Sequence, residues 1–165
     1  MFLVPDRVLE SYQAVTVPLL RENGIRFIIS DLDYTLAPKS VPEPDEALLQ
    51  WLQTLRENGV TLLILSNNRN PRRVTRFCSA QQIPFIGHAR KPLRRGFLAA
   101  MERYRARPEE TVVLGDKLLT DCLGAHCSGL KIWMVEPLGG AVTLWQKVLH
   151  TMQEPIKQSC RRAMG

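Results

Sequence analysis

A chain of 165 residues, 45% hydrophobic and 23% charged, has the composition of one globular domain and excludes fibrous or disordered classes. No run approaches the ~20 apolar residues of a membrane-spanning helix, and the apolar start at residues 1–4 breaks at Pro5-Asp6-Arg7, too early for a secretory signal. Lysine and arginine number 22 against 16 acidic residues, a net charge of +6 with pI near 9.5; the field favours anionic partners such as phosphates, nucleic acid or an acidic membrane surface, and solubility alone is the equal alternative.

Residues 5–22 read as a helix interrupted by Pro18. After them, short apolar β-branched runs alternate with amphipathic stretches. Strands are expected at 25–29, 60–65, 111–114 and 130–135, with a weaker fifth at 83–86 whose Pro84 suits a sheet edge. Near-continuous apolar runs are the mark of strands buried on both faces, hence of a parallel sheet covered by helices. Residues 45–58 place Leu48, Leu49, Leu52 and Leu55 on one face and stop at Gly59. Residues 71–81 open with Asn70 as N-cap and Pro71 at the first turn, and turn Val74, Phe77 and Cys78 inward. Residues 92–105 and the shorter 118–127 complete the set, and 141–152 carries Val142, Trp145, Val148, Leu149 and Met152 on one side. The order defines a single doubly wound α/β domain spanning 1–165, a three-layer sandwich with a five-stranded parallel sheet, its core at 25–135 between helical extensions.

In such sheets the ligand lies beyond the carboxyl ends of the strands, so the residues immediately after each strand carry the chemistry. They are Ser30-Asp31-Leu32-Asp33-Tyr34-Thr35, Ser66-Asn67-Asn68, Gly87-His88-Ala89-Arg90-Lys91-Pro92 and Gly115-Asp116-Lys117-Leu118-Leu119-Thr120-Asp121. Four acids converging on one sheet edge repel one another unless a cation sits among them. Oxygen ligands without His or Cys suit Mg²⁺. Ser66, Asn67 and Lys91 supply donors for a phosphoryl group, and a bare carboxylate beside them points to phosphoryl transfer through an aspartyl-phosphate. Taken singly, Ser66-Asn67-Asn68 is a turn, Lys91 a solvated charge, Asp116 a turn residue and Asp121 an acid on a helix surface; their joint placement favours the site.

Asp31-Leu32-Asp33-Tyr34-Thr35 resembles the DxDxT signature of the haloacid dehalogenase (HAD) phosphatase superfamily, and Ser66, Lys91 and Gly115-Asp116 with Asp121 resemble its second, third and fourth motifs in order. The resemblance implies roles. Asp31 would be the nucleophile and Asp33 the general acid and base. Mg²⁺ would bind Asp31, the backbone carbonyl of Asp33, and Asp116. Ser66 and Asn67 would bind the phosphoryl oxygens, Lys91 would neutralise developing charge, and Asp121 would support the metal or the lysine. The intervals from Asp33 to Ser66 and from Ser66 to Lys91 leave no room for either cap domain of that superfamily, so the site is expected to be open, as in its uncapped subclass IIIA, and to suit bulky substrates.

Within that subclass the chain is similar to the YqeG-type bacterial proteins and to phosphatidylglycerophosphate phosphatases, though Lys117 stands where Gln or Arg is expected and Tyr34 where the lipid enzymes often carry Asn. The expectation is a Mg²⁺-dependent phosphomonoesterase acting on phosphatidylglycerophosphate, cytoplasmic and peripheral to an anionic membrane. Two alternatives stand beside it: a phosphatase for soluble or nucleic-acid phosphates, and a catalytically idle scaffold that binds a partner. The basic residues are scattered rather than gathered in one run, which disfavours nucleic acid. His88, His126 and His150 match no motif and read as residues without a role in the site, a substrate contact by His88 being the lesser alternative because it lies close in the chain to Lys91. Cys78, Cys122, Cys127 and Cys160 form no CxxC pair and read as structural or free thiols in a reducing compartment.

Overall fold

The computed structural model describes residues 3–139 and 144–163. Its strands are β1 (Arg7–Leu9), β2 (Phe27–Ser30), β3 (Thr61–Leu65), β4 (Phe85–Ile86), β5 (Thr111–Gly115) and β6 (Lys131–Val135). Its helices are α1 (Val17–Glu22), α2 (Glu46–Glu57), α3 (Pro71–Ser79), α4 (Arg94–Tyr104), α5 (Leu123–Cys127) and α6 (Leu144–Ala163). All strand pairs are parallel, in the spatial order β1–β6–β5–β2–β3–β4.

Side-chain alternation along the strands builds the layers. Ile28, Leu62, Ile64, Val112, Leu114 and Trp133 face one core with Leu20 of α1, Leu48, Leu52 and Leu55 of α2, and Val74 and Phe77 of α3. Phe27, Ile29, Leu63, Leu65, Val113, Ile132 and Met134 face the other, with Phe97, Ala100 and Met101 of α4, Ala125 of α5 and Ile156 of α6. Both faces of the sheet are dry, which is why its strands read as unbroken apolar runs.

The sheet has six strands, one more than the sequence pattern suggests. The extra one, β1, lies where a helix is expected. Three residues carry too little periodicity to reveal themselves, and β1 exists only by pairing with β6. The Asp6 carboxylate accepts from Ile132 N–H at 2.7 Å, and the Arg7 guanidinium stacks over Trp133. Pro18 does not interrupt a helix; it sits in the first turn of α1, capped by Thr16. Residues 118–127 are not one α-helix. A π-helical turn at Leu118–Cys122 precedes α5, and it directs Asp121 into the interior. The side chains of the expected stripe from Val142 to Met152 lie outside what the structure describes, although the backbone of α6 is helical from Leu144 onward. No described helix is long and apolar enough to cross a membrane.

None of the four cysteines is in a disulfide; three are buried and Cys127 is exposed. Burial pushes the thiols of Cys78 and Cys122 up to about 12. Ellman's reagent at pH 8 is therefore expected to titrate one thiol in the folded protein and all four after denaturation, with the native signal lost in Cys127→Ser.

Candidate active site

The chain winds outward from β2 to β3 and β4, then returns to place β5 against the other side of β2. The strand order reverses there, and the crevice beyond the carboxyl ends of β2 and β5 is where an open α/β sheet binds ligand. Asp31 follows β2 directly, its backbone N–H donating to Leu114 of β5 at 2.9 Å. Asp116 directly follows the end of β5 at Gly115. One carboxylate oxygen from each of Asp31, Asp116 and Asp121 lies within 4.8 Å of the others, and all three residues are buried. That is an all-oxygen donor set, and it fits a hard divalent cation. The Thr35 hydroxyl donates to Asp116 Oδ1 at 3.0 Å and fixes its orientation.

Two lysines enter this acid cluster. Lys91 Nζ, its side chain 3% exposed, lies 2.6 Å from Asp121 Oδ1 and 3.0 Å from Asp31 Oδ1. Its backbone is clamped by Asn67, whose amide donates to Lys91 O at 2.9 Å and accepts from Lys91 N–H at 2.7 Å. Both polar atoms of the Asn67 side chain are thus spent on placing the lysine, whose peptide bond to Pro92 is cis. Asp121 also accepts from Lys117 N–H at 3.2 Å. It comes this close only because residue 115 is glycine: a Cβ there would lie 2.5 Å from Cβ and Cγ of Asp121. The second lysine, Lys117, places its Nζ 3.1 Å from Asp31 Oδ2, 2.8 Å from Asp116 Oδ1 and 3.3 Å from the Asp33 carbonyl oxygen.

Charge and burial compete at each group. Burial raises the Asp31 pKa, but Lys91 and Lys117 overcome it and hold this carboxyl at about 2, ionised at neutral pH. Asp116 goes the other way, to about 6, because burial and the neighbouring Asp31 and Asp121 outweigh Lys117. Burial opposes the charge on Lys91 and Lys117, yet the surrounding carboxylates keep both above the ordinary lysine value.

Asp33 sits at the rim. Tyr34, at φ 71°, turns the chain sharply behind it, with Tyr34 N–H donating to Ala37 O at 2.8 Å. Asn68 donates to Asp33 Oδ2 at 2.6 Å. Arg73 Nη2 stands 3.2 Å from Asp33 Oδ1, an ion pair off the hydrogen-bonding direction. The guanidinium stacks on Phe77, and its Nε and Nη1 are buried with no hydrogen-bond partner among the described residues. Ser66 is buried on the cleft floor, its hydroxyl accepting from Asn68 N–H at 3.1 Å. The cleft is open, about 670 Å³, and exposed Lys39 and Arg69 line it together with Asp31, Asp33, Ser66, Asn67, Arg73 and Lys117.

Asp31, Asp33, Ser66, Asn67, Lys91, Asp116 and Asp121, the residues singled out from sequence for the site, all gather here. His88 is exposed and lies outside the lining of the cleft. Sequence reading missed Arg73, Asn68 and the placement of Lys117, and left Thr35 without a role. Arg73 was discoverable: it shares a helical face with Phe77 four residues on, so it points toward the sheet rather than away.

The match to known proteins follows the geometry. Residues 27–129 match the family model described as haloacid dehalogenase-like hydrolase. Over 140 residues the chain is 36% identical to the protein of Bacillus subtilis (strain 168) named Probable phosphatase YqeG, covering 85% of this chain and 81% of that one. Among solved structures, the cobalt-bound deoxy-D-mannose-octulosonate 8-phosphate phosphatase of Haemophilus influenzae superposes with a TM-score of 0.56 at 15% identity, over 84% of this chain and 90% of the other. An uncharacterized protein from Listeria monocytogenes serotype 4b gives 0.56 at 16% identity, over 81% and 99%. These two show the fold. A parallel sheet with an acid-lined crevice at its switch point is an α/β domain built to bind a ligand beyond the carboxyl ends of its strands. The chain belongs to the haloacid dehalogenase-like hydrolases.

Proposed function

We propose that this hydrolase is a Mg²⁺-dependent phosphomonoesterase working through an aspartyl-phosphate on Asp31, with phosphatidylglycerophosphate as its substrate. The observation that carries the reading is Asp31 itself: a buried carboxylate at a sheet switch point, kept ionised by two lysines and lining an open cleft. The name of the B. subtilis relative supports phosphatase chemistry.

An Asp31 carboxylate oxygen attacks phosphorus as the ester P–O bond breaks, and Asp33 gives its proton to the departing alkoxide. Asp33 then takes a proton from the water that attacks phosphorus, inorganic phosphate leaves, and Asp31 is restored. Asn68 and Arg73 hold Asp33 at the rim for both steps. Lys91 balances the charge that builds on the phosphoryl oxygens, and the Ser66 hydroxyl donates to one of them. Asp31, Asp116 and the Asp33 carbonyl would hold Mg²⁺, which when bound neutralises phosphoryl charge.

Substrate size follows from what covers the cleft. Only a loop and α2 lie between β2 and β3, and only α3 between β3 and β4, so neither interval supplies a lid to enclose a small metabolite. A bulky ester with its phosphate at one end suits this opening, and a basic protein with Lys39 and Arg69 at the cleft suits an anionic surface. The decisive assay compares phosphatidylglycerophosphate in mixed micelles, a 3′-phosphorylated oligonucleotide, sugar phosphates and an aryl phosphate, each with Mg²⁺ or with EDTA. All turnover is expected to need the metal, and the lipid is expected to lead in kcat/KM by at least about tenfold. A sugar phosphate or oligonucleotide in first place overturns the lipid assignment; no hydrolysis of any ester overturns the phosphatase reading.

A further inference from the structure

Lys117 Nζ has three N–H donors and meets three acceptors: Asp31 Oδ2, Asp116 Oδ1 and the Asp33 carbonyl oxygen. These belong to the same three groups that the proposed function gives to the divalent ion. A cation at the end of a flexible four-carbon stem is already in the position where the carboxylates need one. Lys91 does not compete for that role, because it is buried on the opposite side, between Asp31 Oδ1 and Asp121 Oδ1. Lys117 is also built to leave. Its side chain is 36% exposed, it lines the cleft, and its ammonium lies 5.9 Å from the Tyr34 ring, near the cleft wall.

We propose that Lys117 is a tethered monovalent occupant of the divalent-cation position: it holds Asp31 and Asp116 together in the metal-free enzyme, and a metal ion binds by displacing it into the cleft. This inference rests on the divalent-ion part of the proposed function. It has two opposed consequences. Metal-free protein draws stability from the ammonium, since without it three buried carboxylates would share Lys91 alone. Metal affinity is lowered by the same contacts, because binding must first break three charge-assisted hydrogen bonds and leave a second positive charge nearby. The enzyme would then load metal only at higher free concentration, and the displaced ammonium would be left in the cleft, close to where the substrate phosphate docks.

The test is calorimetric titration of chelator-stripped, full-length protein with Mn²⁺ and with Mg²⁺, for the wild type, Lys117→Met and Lys117→Gln, with thermal melts of each in metal-free and metal-saturated buffer. Methionine keeps the length of the stem without charge; glutamine is the polar neutral control should methionine impair folding. Both variants are expected to bind Mn²⁺ at least about tenfold more tightly than wild type. They are also expected to melt lower when metal-free and to gain more in Tm on saturation. Equal or weaker metal affinity in both variants overturns the inference while leaving the phosphatase reading in place. Failure of wild type and variants alike to bind either ion overturns both the inference and the metal assignment. None of these readouts depends on turnover.

Discussion

Asp31→Asn is expected to lower aryl-phosphate turnover by at least about 10³-fold while leaving global stability within about 1 kcal/mol of wild type. The activity loss follows from removing the nucleophile: an amide oxygen at this position cannot form the aspartyl-phosphate, and nothing nearby replaces it, since Asp33 is committed to Asn68 and Arg73 and Asp121 to Lys91. The small stability change follows from local charge. Asp31, Asp116 and Asp121 face Lys91 and Lys117, an excess of one negative charge. Neutralising Asp31 removes that excess, and each lysine keeps a carboxylate partner, Asp121 for Lys91 and Asp116 for Lys117. Steady-state kinetics beside urea denaturation give both numbers. Turnover equal to wild type would refute Asp31 as the nucleophile.

Lys91→Met should behave differently, losing activity and also about 3 kcal/mol of stability, a fall in Tm of about 6–12 °C for a chain of this size. Lys91 and Asp121 are 3% and 1% exposed, so neither has water to fall back on. Without the ammonium, the carboxylates of Asp31 and Asp121 remain in the crevice with one cation fewer, and relief comes only by taking up protons or by moving apart. Movement is restricted, because Asp121 is packed against Gly115 and tied to the Lys117 backbone. Differential scanning calorimetry on Lys91→Met and Asp31→Asn together separates the two kinds of residue. If Lys91→Met were as stable as wild type, the buried lysine would be a bystander rather than the counter-charge of the cluster.

The contrast between these two variants mirrors what could be read without coordinates. Four of the six strands, β2, β3, β5 and β6, are visible as apolar runs because both faces of the sheet are covered there, and burial on two faces leaves no polar alternation to blur the signal, whereas the half-buried edge strand β4 gives a weaker one. Asp31, Ser66, Lys91 and Asp116 are visible for a related reason: in a parallel sheet every strand ends at the same rim, so position in the chain translates into position in space. The α3 start at Asn70-Pro71 is equally local, since a cap and a first-turn proline act on neighbouring backbone.

What the amino-acid order determined by itself was therefore everything with a short-range or periodic cause: the alternation of strands and helices, their dry faces, and the set of acids delivered to one edge. Tertiary structure alone decided the rest. It recruited residues 7–9 as a sixth strand through pairing with a segment more than 120 residues away. It turned Asp121 inward through a π-helical turn, spent the Asn67 amide on Lys91, and put Arg73 against Asp33. It also carried the Lys117 ammonium back across the crevice to Asp31 and Asp116. Hydrogen bonds and charge pairs of this kind depend on where side-chain ends meet, and strand order, not spacing along the chain, sets that meeting point.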